Sequence, residues 1–161
     1  MRNKKVLFVA QAALIAAIYV VLTYFISAFH LASGAIQVRI SEALTILPYF
    51  TPAAIPGLTI GCLLSNLLTG CLPMDVLCGS IATLLGAVGS FILRKHKWLV
   101  PIPPIIANTI IVPFVLAYVY GAEGSIPFFM ITVGMGEVIS CYILGGILLK
   151  ALLPYRSIIF K

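Results

Sequence analysis

Charged side chains are scarce in this sequence of 161 residues. Only 9% of the residues are charged, ten of them Lys or Arg and four Asp or Glu, whereas a soluble domain has about 25%. Apolar residues make up 62% of the chain. So few charges cannot cover the surface of a water-soluble globule, which excludes an ordinary cytosolic enzyme and a disordered protein. The net charge of +6 is therefore interpreted as a signal of membrane topology rather than of nucleic-acid binding.

Motifs for catalysis, nucleotide binding and metal binding are absent as well. The sequence contains no GxxxxGK[ST] loop, no HExxH, no GxSxG and no CxxC, so it offers neither an ATP site of its own nor a recognisable catalytic pair. We expect no enzyme activity and no cofactor. The cysteines lie in or beside apolar segments, which favours free thiols, with a disulfide between Cys71 and Cys78 as the alternative.

Long uncharged stretches predict the fold class. Residues 6–38, 43–74, 76–93 and 98–122 contain no Asp, Glu, Lys or Arg, and a bilayer-spanning helix needs about 20 apolar residues. Prolines at 48, 52 and 56 divide the second stretch. We predict one domain over residues 1–161, an all-α integral membrane protein forming a compact bundle of six transmembrane helices. Their approximate ranges are 6–29, a short second helix at 42–50, 53–69, 74–93, 98–120 and 126–153.

The basic residues predict the orientation of this bundle. With the N-terminus in the cytoplasm, six spans place nine of the ten basic residues on the cytoplasmic side and leave Arg39 alone outside. This distribution satisfies the positive-inside rule. The prediction is a multi-pass protein of the cell membrane with both termini in the cytoplasm.

Glu137 is the most informative single residue. Thirteen uncharged residues precede it and twelve follow it, so it lies in the middle of the last predicted span. A carboxylate at that depth costs about 2–3 kcal/mol or more unless it is paired or solvated. It is either a structural hydrogen-bonding group or part of a ligand or ion site, and we favour the site because intramembrane acids usually mark one.

Five further polar residues are candidates. Asn66 and Asn108 fall inside predicted spans, where each amide bridges helices or binds a ligand. Asp75 follows Pro73 at a predicted helix start. Its carboxylate either interacts favourably with the helix dipole or places a charge near the mouth of a cavity. Arg39 and Glu42 form the element QVRISEAL, which is either a surface ion pair of little energy or part of a loop that closes over a site.

The first predicted helix carries small residues four positions apart. In membranes such pairs allow another helix to approach closely. They either pack inside the bundle or dock a partner protein. The residues are Ala12, Ala13, Ala16 and Ala17.

Two segments, QVRISEALTILPYFTPAAIPGLTIGCLLSN and GCLPMDVLCGSIATLLGA, resemble the QueT family among the substrate-binding (S) components of energy-coupling factor (ECF) transporters. The resemblance extends over nearly the whole chain. It implies uptake of a queuosine precursor across the bacterial plasma membrane, namely a 7-deazaguanine such as queuine, its aminomethyl form (preQ1) or its cyano form (preQ0). It also implies a membrane T component and two cytoplasmic ATPases as partners, with no role for nucleic acid. In this family type the alanines of the first helix dock onto the T component.

The chemistry of such a ligand suggests roles for the polar residues. The N1–H and exocyclic amino group of a guanine-like edge require an acceptor, for which Glu137 is the candidate. Asn108 or Asn66 supplies a donor to the ring carbonyl, and Asp75 or Glu42 faces a cationic amine on position seven. Arg39 is the candidate for closing the site. Two aromatic rings are candidates for stacking on the base: Phe128 and Tyr142.

Other functions remain as alternatives. The chain is alternatively an S component for thiamine or riboflavin, a stand-alone ion-coupled carrier or channel that uses Glu137, or a structural membrane subunit. The sequence leaves open which deazaguanine is preferred and whether residues 30–41 form a strand-like lid or a loop.

Overall fold

The computed structural model describes residues 4–28 and 38–159, and within these ranges the chain is helical with no strand. The first half comprises helix α1 (Lys4–Ala28), a 3-10 helix (Ile40–Tyr49) and α2 (Ala54–Leu68). Two further helices follow, α3 (Pro73–Ile92) and α4 (Ile102–Tyr118). The expected class, an all-helical chain with the composition of a membrane protein, is therefore found.

The last part of the chain is one nearly continuous helical rod with a change of pitch in its middle. Helix α5 (Ile126–Glu137) passes into a π-helical segment (Val138–Leu144), and α6 (Gly145–Leu152) follows. A 3-10 turn (Leu153–Tyr155) and the short α7 (Arg156–Ile159) end the rod. Ser125 caps α5 by accepting a hydrogen bond from the backbone N–H of Phe128.

Three helices are long and apolar enough to cross a membrane: Lys4–Ser27, Pro73–Ile92 and Ile126–Ile159. Ala54–Leu68 and Ile102–Tyr118 are apolar but shorter. The predicted bounds agree with these helices to within a few residues, except that α4 starts at Ile102 instead of 98. The predicted end of the first helix at 29 and residues 30–37 of the following loop lie outside the described residues.

The 3-10 helix forms the centre of the bundle. Its residues from Ser41 to Pro48 are all buried, and it contacts α1, α2, α3, α6 and the π-helical segment. Leu44 and Leu47 pack in a core with Tyr19 of α1 and Leu58 of α2. The sequence predicted a short helix here, and the structure shows how so short a segment is accommodated, since its backbone is enclosed by other helices.

Close helix contacts occur at glycines. A Cβ atom on Gly57 would lie 2.8 Å from the carbonyl oxygen of Ala12, so α1 and α2 touch through backbone atoms there. At the crossing of α3 and α4, a Cβ on Gly86 would lie 2.7 Å from Cα of Pro104. Both distances are too short for any side chain, and glycine is therefore required at these crossings.

We expect Gly86→Ala to destabilise the bundle by about 1–3 kcal/mol, because the added methyl group must push backbone atoms of α4 away. Thermal unfolding of the purified protein in detergent measures the effect. Gly146→Ala is the matched control, because a Cβ there meets nothing within 4 Å while the gain in helix propensity is the same. Equal melting temperatures for the two variants would contradict the crossing described here.

Candidate functional site

A cavity of about 400 Å³ opens between the ends of α1, α2 and α4 and the start of α3. Three of the predicted site residues line it, namely Arg39, Asn66 and Asp75. Ser41, Cys71 and Tyr120 also contribute to the wall. The cavity is large enough for a small planar ligand and carries both donors and acceptors.

Arg39 links the cavity to the interior of the bundle. Its guanidinium donates a hydrogen bond of 3.0 Å to Oδ1 of Asn66, and its backbone N–H donates one of 3.2 Å to Oγ of Ser140. Arg39 is thus held between α2 and the π-helical segment, directly before the 3-10 helix starts. Its charge also lies near enough to Glu42 and Glu137 to interact with both.

Glu42 and Glu137 meet behind this wall. Their side chains are 1% and 5% exposed, and one oxygen of each lies within 4.8 Å of the other and of Sγ of Cys141. We call these three residues the carboxylate cluster. Tyr19 donates its hydroxyl hydrogen to Oε1 of Glu42, whereas Oε2 of Glu42 is buried without a hydrogen-bond partner.

Local structure explains how the cluster is assembled. Glu42 lies in the first turn of the 3-10 helix, which turns it toward the bundle interior, and Thr45 donates a 2.6 Å hydrogen bond to its backbone carbonyl. Glu137 ends α5, and the π-helical segment begins at the next residue. Cys141 lies in that segment and donates to Oε2 of Glu137 at 3.2 Å. Such π-helical insertions are frequent at functional sites.

The other predicted polar residues divide between the cluster and the cavity. Asn108 is buried in α4, and its amide approaches the carboxylate of Glu137. Asp75 stays at the cavity wall, where the hydroxyl of Tyr120 donates to its Oδ2 at 2.7 Å. Partial burial and this bond to Asp75 raise the pKa of the Tyr120 phenol above its ordinary value, so that Tyr120 remains a donor.

The two aromatic candidates lie elsewhere. Phe128 is 50% exposed and packs edge-on against Phe129, and Tyr142 is 40% exposed. Neither ring lines the cavity. The structure therefore does not bring them to the candidate site.

The alanines of α1 separate into two faces. Ala12 and Ala16 pack against Gly57 and Gly61 of α2, so their role is internal packing. Ala13 and Ala17 are exposed. Positions 13 and 17 lie one turn apart on the same outer face of α1.

Sequence reasoning overlooked Tyr19 and Cys141, although both belong to this site. Tyr19 follows Ile15 by four positions, one helical turn, and the structure buries both side chains on the inner face of α1. Cys141 follows Glu137 by four positions as well. All four cysteines are free, and the alternative of a disulfide between Cys71 and Cys78 is wrong.

The donor atoms of the carboxylate cluster are the ones among the described residues that are close enough together to hold a cation. Two carboxylates and a thiol are chemically able to bind a metal ion, and acidic oxygens equally accept hydrogen bonds from an organic cation. An apolar helical bundle that encloses a polar cavity and a buried acid pair has the properties of a membrane-embedded binding or transport protein.

Comparison with known proteins identifies the family. The model of the family described as QueT transporter matches residues 9–154, and the chain therefore belongs to the QueT family. This is a family of transporters and not of enzymes, in agreement with the expectation from the missing catalytic motifs.

A curated relative is the protein named Queuosine precursor transporter QueT from Lactococcus lactis subsp. cremoris (strain MG1363). It is 36% identical over 84 residues, which make up 52% of this chain and 49% of the relative. The matched region thus spans about half the length of that relative. No solved structure matches the chain.

We expect a membrane-impermeant thiosulfonate reagent to modify Cys71 while Cys62 and Cys141 stay intact in the folded protein. Cys71 lines the open cavity, whereas the other two thiols are buried. Mass spectrometry of peptides after brief labelling measures the rates, and labelling in denaturant provides the reference for full reactivity. Modification of Cys62 or Cys141 at the rate of Cys71 would contradict the enclosure of the bundle interior.

Proposed function

We propose that this chain is the substrate-binding (S) component of an ECF-type importer, and that it takes up a 7-deazaguanine precursor of queuosine across the bacterial plasma membrane. The observation that carries the proposal is the polar cavity bounded by Arg39, Asn66 and Asp75 in a bundle of the QueT family. The curated relative is named as a transporter of queuosine precursors. Partner ATPases supply the energy, because the chain lacks a nucleotide-binding loop.

The charge distribution supports an outward-facing cavity. The basic residues of the loop from Arg94 to Lys97 lie at the end of α3 opposite Asp75, and Lys4 and Lys5 begin α1 at the end opposite Thr23. By the positive-inside rule the end of the bundle that carries these basic residues faces the cytoplasm. The cavity then opens to the outside, where an imported substrate arrives, and the chain passes through the membrane six times with the 3-10 helix as its second passage.

The cavity suggests how the base is held. Asp75 is the acid that lines it, so we assign to Asp75 the acceptance of N1–H and the exocyclic amino group. The ring carbonyl lies on the far side of N1 and meets the donors of Arg39, whose guanidinium uses only some of its five N–H groups on Asn66. This revises the earlier hypothesis that Glu137 accepts these two donors of the base, because Asp75 lines the cavity and Glu137 does not.

We expect Asp75→Asn to weaken binding of the cyano form of the base by about 1.5–3 kcal/mol, the usual value of a hydrogen bond to a charged group. Isothermal titration calorimetry on the purified protein measures it. Glu123→Gln is the control, because it removes an equal charge from an exposed loop position. Unchanged affinity in Asp75→Asn would remove Asp75 from the site, and tight binding of thiamine or riboflavin in place of the deazaguanine would overturn the proposed substrate class.

The outer face of α1 is the proposed docking surface for the T component. Ala13 and Ala17 are exposed and small, and they allow a partner helix to approach the backbone of α1 closely. Ala12 and Ala16 already serve this purpose inside the bundle, toward α2. The two overlapping alanine pairs therefore have different roles.

We expect Ala13→Trp and Ala17→Trp to reduce ATP-dependent uptake by at least tenfold while substrate affinity stays within about twofold, because the bulky ring blocks docking but leaves the cavity untouched. Uptake into proteoliposomes that contain the complete transporter measures the first quantity, and calorimetry measures the second. Ile131→Trp, at a position of α5 that is 63% exposed, controls for a tryptophan in the lipid-facing surface. Normal uptake by both α1 variants, or uptake that a proton gradient drives without ATPases, would contradict the proposed assembly.

A further inference from the structure

We propose that the carboxylate cluster of Glu42, Glu137 and Cys141 binds a primary ammonium group, so that the protein selects a substrate carrying a cationic amine. This inference rests on the proposed function and assigns a ligand to the carboxylate cluster, whose residues do not line the cavity. The protein would then select the aminomethyl form of the deazaguanine over its neutral cyano form.

Charge balance is the first argument. With both acids ionised, Glu42 and Glu137 carry two negative charges, and Arg39 is the basic group that interacts with them. The remaining Lys and Arg side chains of residues 4–28 and 38–159 are all exposed. In that state one negative charge is in excess inside an apolar bundle, where an uncompensated charge is costly. Either a proton taken up by the acid pair or a bound monovalent cation removes that excess, so an ammonium group competes with a proton for this position.

An unpartnered atom is the second argument. Oε1 of Glu42 accepts the hydrogen bond from Tyr19, but Oε2 of the same side chain is buried and has no partner. A buried carboxylate oxygen normally accepts a hydrogen bond. Oε2 of Glu42 is thus available to accept a hydrogen bond from a ligand.

The thiol of Cys141 distinguishes an ammonium from a zinc ion. The donor atoms of the cluster lie within 4.8 Å of one another, a limit that admits a tetrahedral NH3⁺ group, whose acceptors are about 4.6 Å apart at hydrogen bonds of about 2.8 Å. The same limit admits zinc, whose ligands at about 2.0–2.3 Å are about 3.3–3.7 Å apart. Zinc would require a thiolate, however, whereas Cys141 donates its S–H to Glu137.

The position of the cluster also suits the ligand. Arg39 lines the cavity and interacts with both acids, and Ser41 of the cavity wall directly precedes Glu42. In a 7-deazaguanine, the seven-substituent points away from the N1–H and amino edge. A base whose edge is held by Asp75 at the mouth therefore directs that substituent inward, toward the cluster.

The test compares affinities of the purified full-length protein for the aminomethyl form, the cyano form and the N-acetylated aminomethyl form, which retains the bulk of the amine without its charge. We expect the aminomethyl form to bind at least tenfold more tightly than the other two. Glu42→Gln and Glu137→Gln should each reduce this preference to threefold or less, and Glu123→Gln should preserve it. Binding of the cyano form shows that a variant is folded. If a variant binds neither the aminomethyl nor the cyano form, the ratio of these two affinities in the unchanged protein decides whether the amine is preferred.

The outcomes separate this inference from the proposed function. If none of the three bases binds, the proposed function itself is wrong. If all three bind with equal affinity, the deazaguanine site stands and the ammonium site is wrong. A titration with Co²⁺ forms the last arm, because a thiolate-to-cobalt charge-transfer band that zinc abolishes would show a metal site and overturn the assignment.

Discussion

The enclosure of two carboxylates in an apolar bundle is the constraint on which the rest of this structure depends. Glu42 and Glu137 have almost no access to solvent, so the surrounding helices must provide hydrogen bonds and opposite charge. Tyr19 from α1, Arg39 before the 3-10 helix and Cys141 from the π-helical segment do so. Helix α1, the 3-10 helix with the residue before it, and the rod where α5 passes into the π-helical segment thus converge on one polar point. Two of these three parts of the chain contain irregular helix.

The irregular helices follow from that requirement. A regular α-helix turns by 100° per residue, so the direction of each side chain is determined by its position along the helix. A 3-10 helix has three residues per turn, and a π-helical segment inserts a residue. Both change which side chains point inward. Glu42 lies in the former and Cys141 in the latter, next to Glu137.

The helices and the central acid could be predicted from the sequence because apolar length and isolated charge are properties of single segments. Arg39, Asn66 and Asp75 were identified for the same reason, since a polar residue in an apolar stretch is conspicuous. The partners of these residues could not be predicted, because the contact of Tyr19 with Glu42 joins residues that are 23 positions apart. The change to π-helical pitch after Glu137 could not be predicted either, because the segment that adopts it, VISCYIL, contains no proline or glycine. The outward placement of Phe128 and Tyr142 could not be predicted, because an aromatic side chain on an apolar helix is compatible with lipid as well as with a ligand.

Between Gln11 and Thr23, helix α1 forms three side-chain hydrogen bonds with the 3-10 helix and the residues that follow it. Gln11 accepts from Thr51, Tyr19 donates to Glu42, and Thr23 donates to Ser41 at the cavity. Its opposite face is the exposed one with Ala13 and Ala17. A protein that binds this exposed face therefore contacts the same helix, α1, that lines part of the cavity. Any displacement of α1 on complex formation would alter the affinity for substrate, and by thermodynamic reciprocity a bound substrate would alter the affinity for the partner by the same factor.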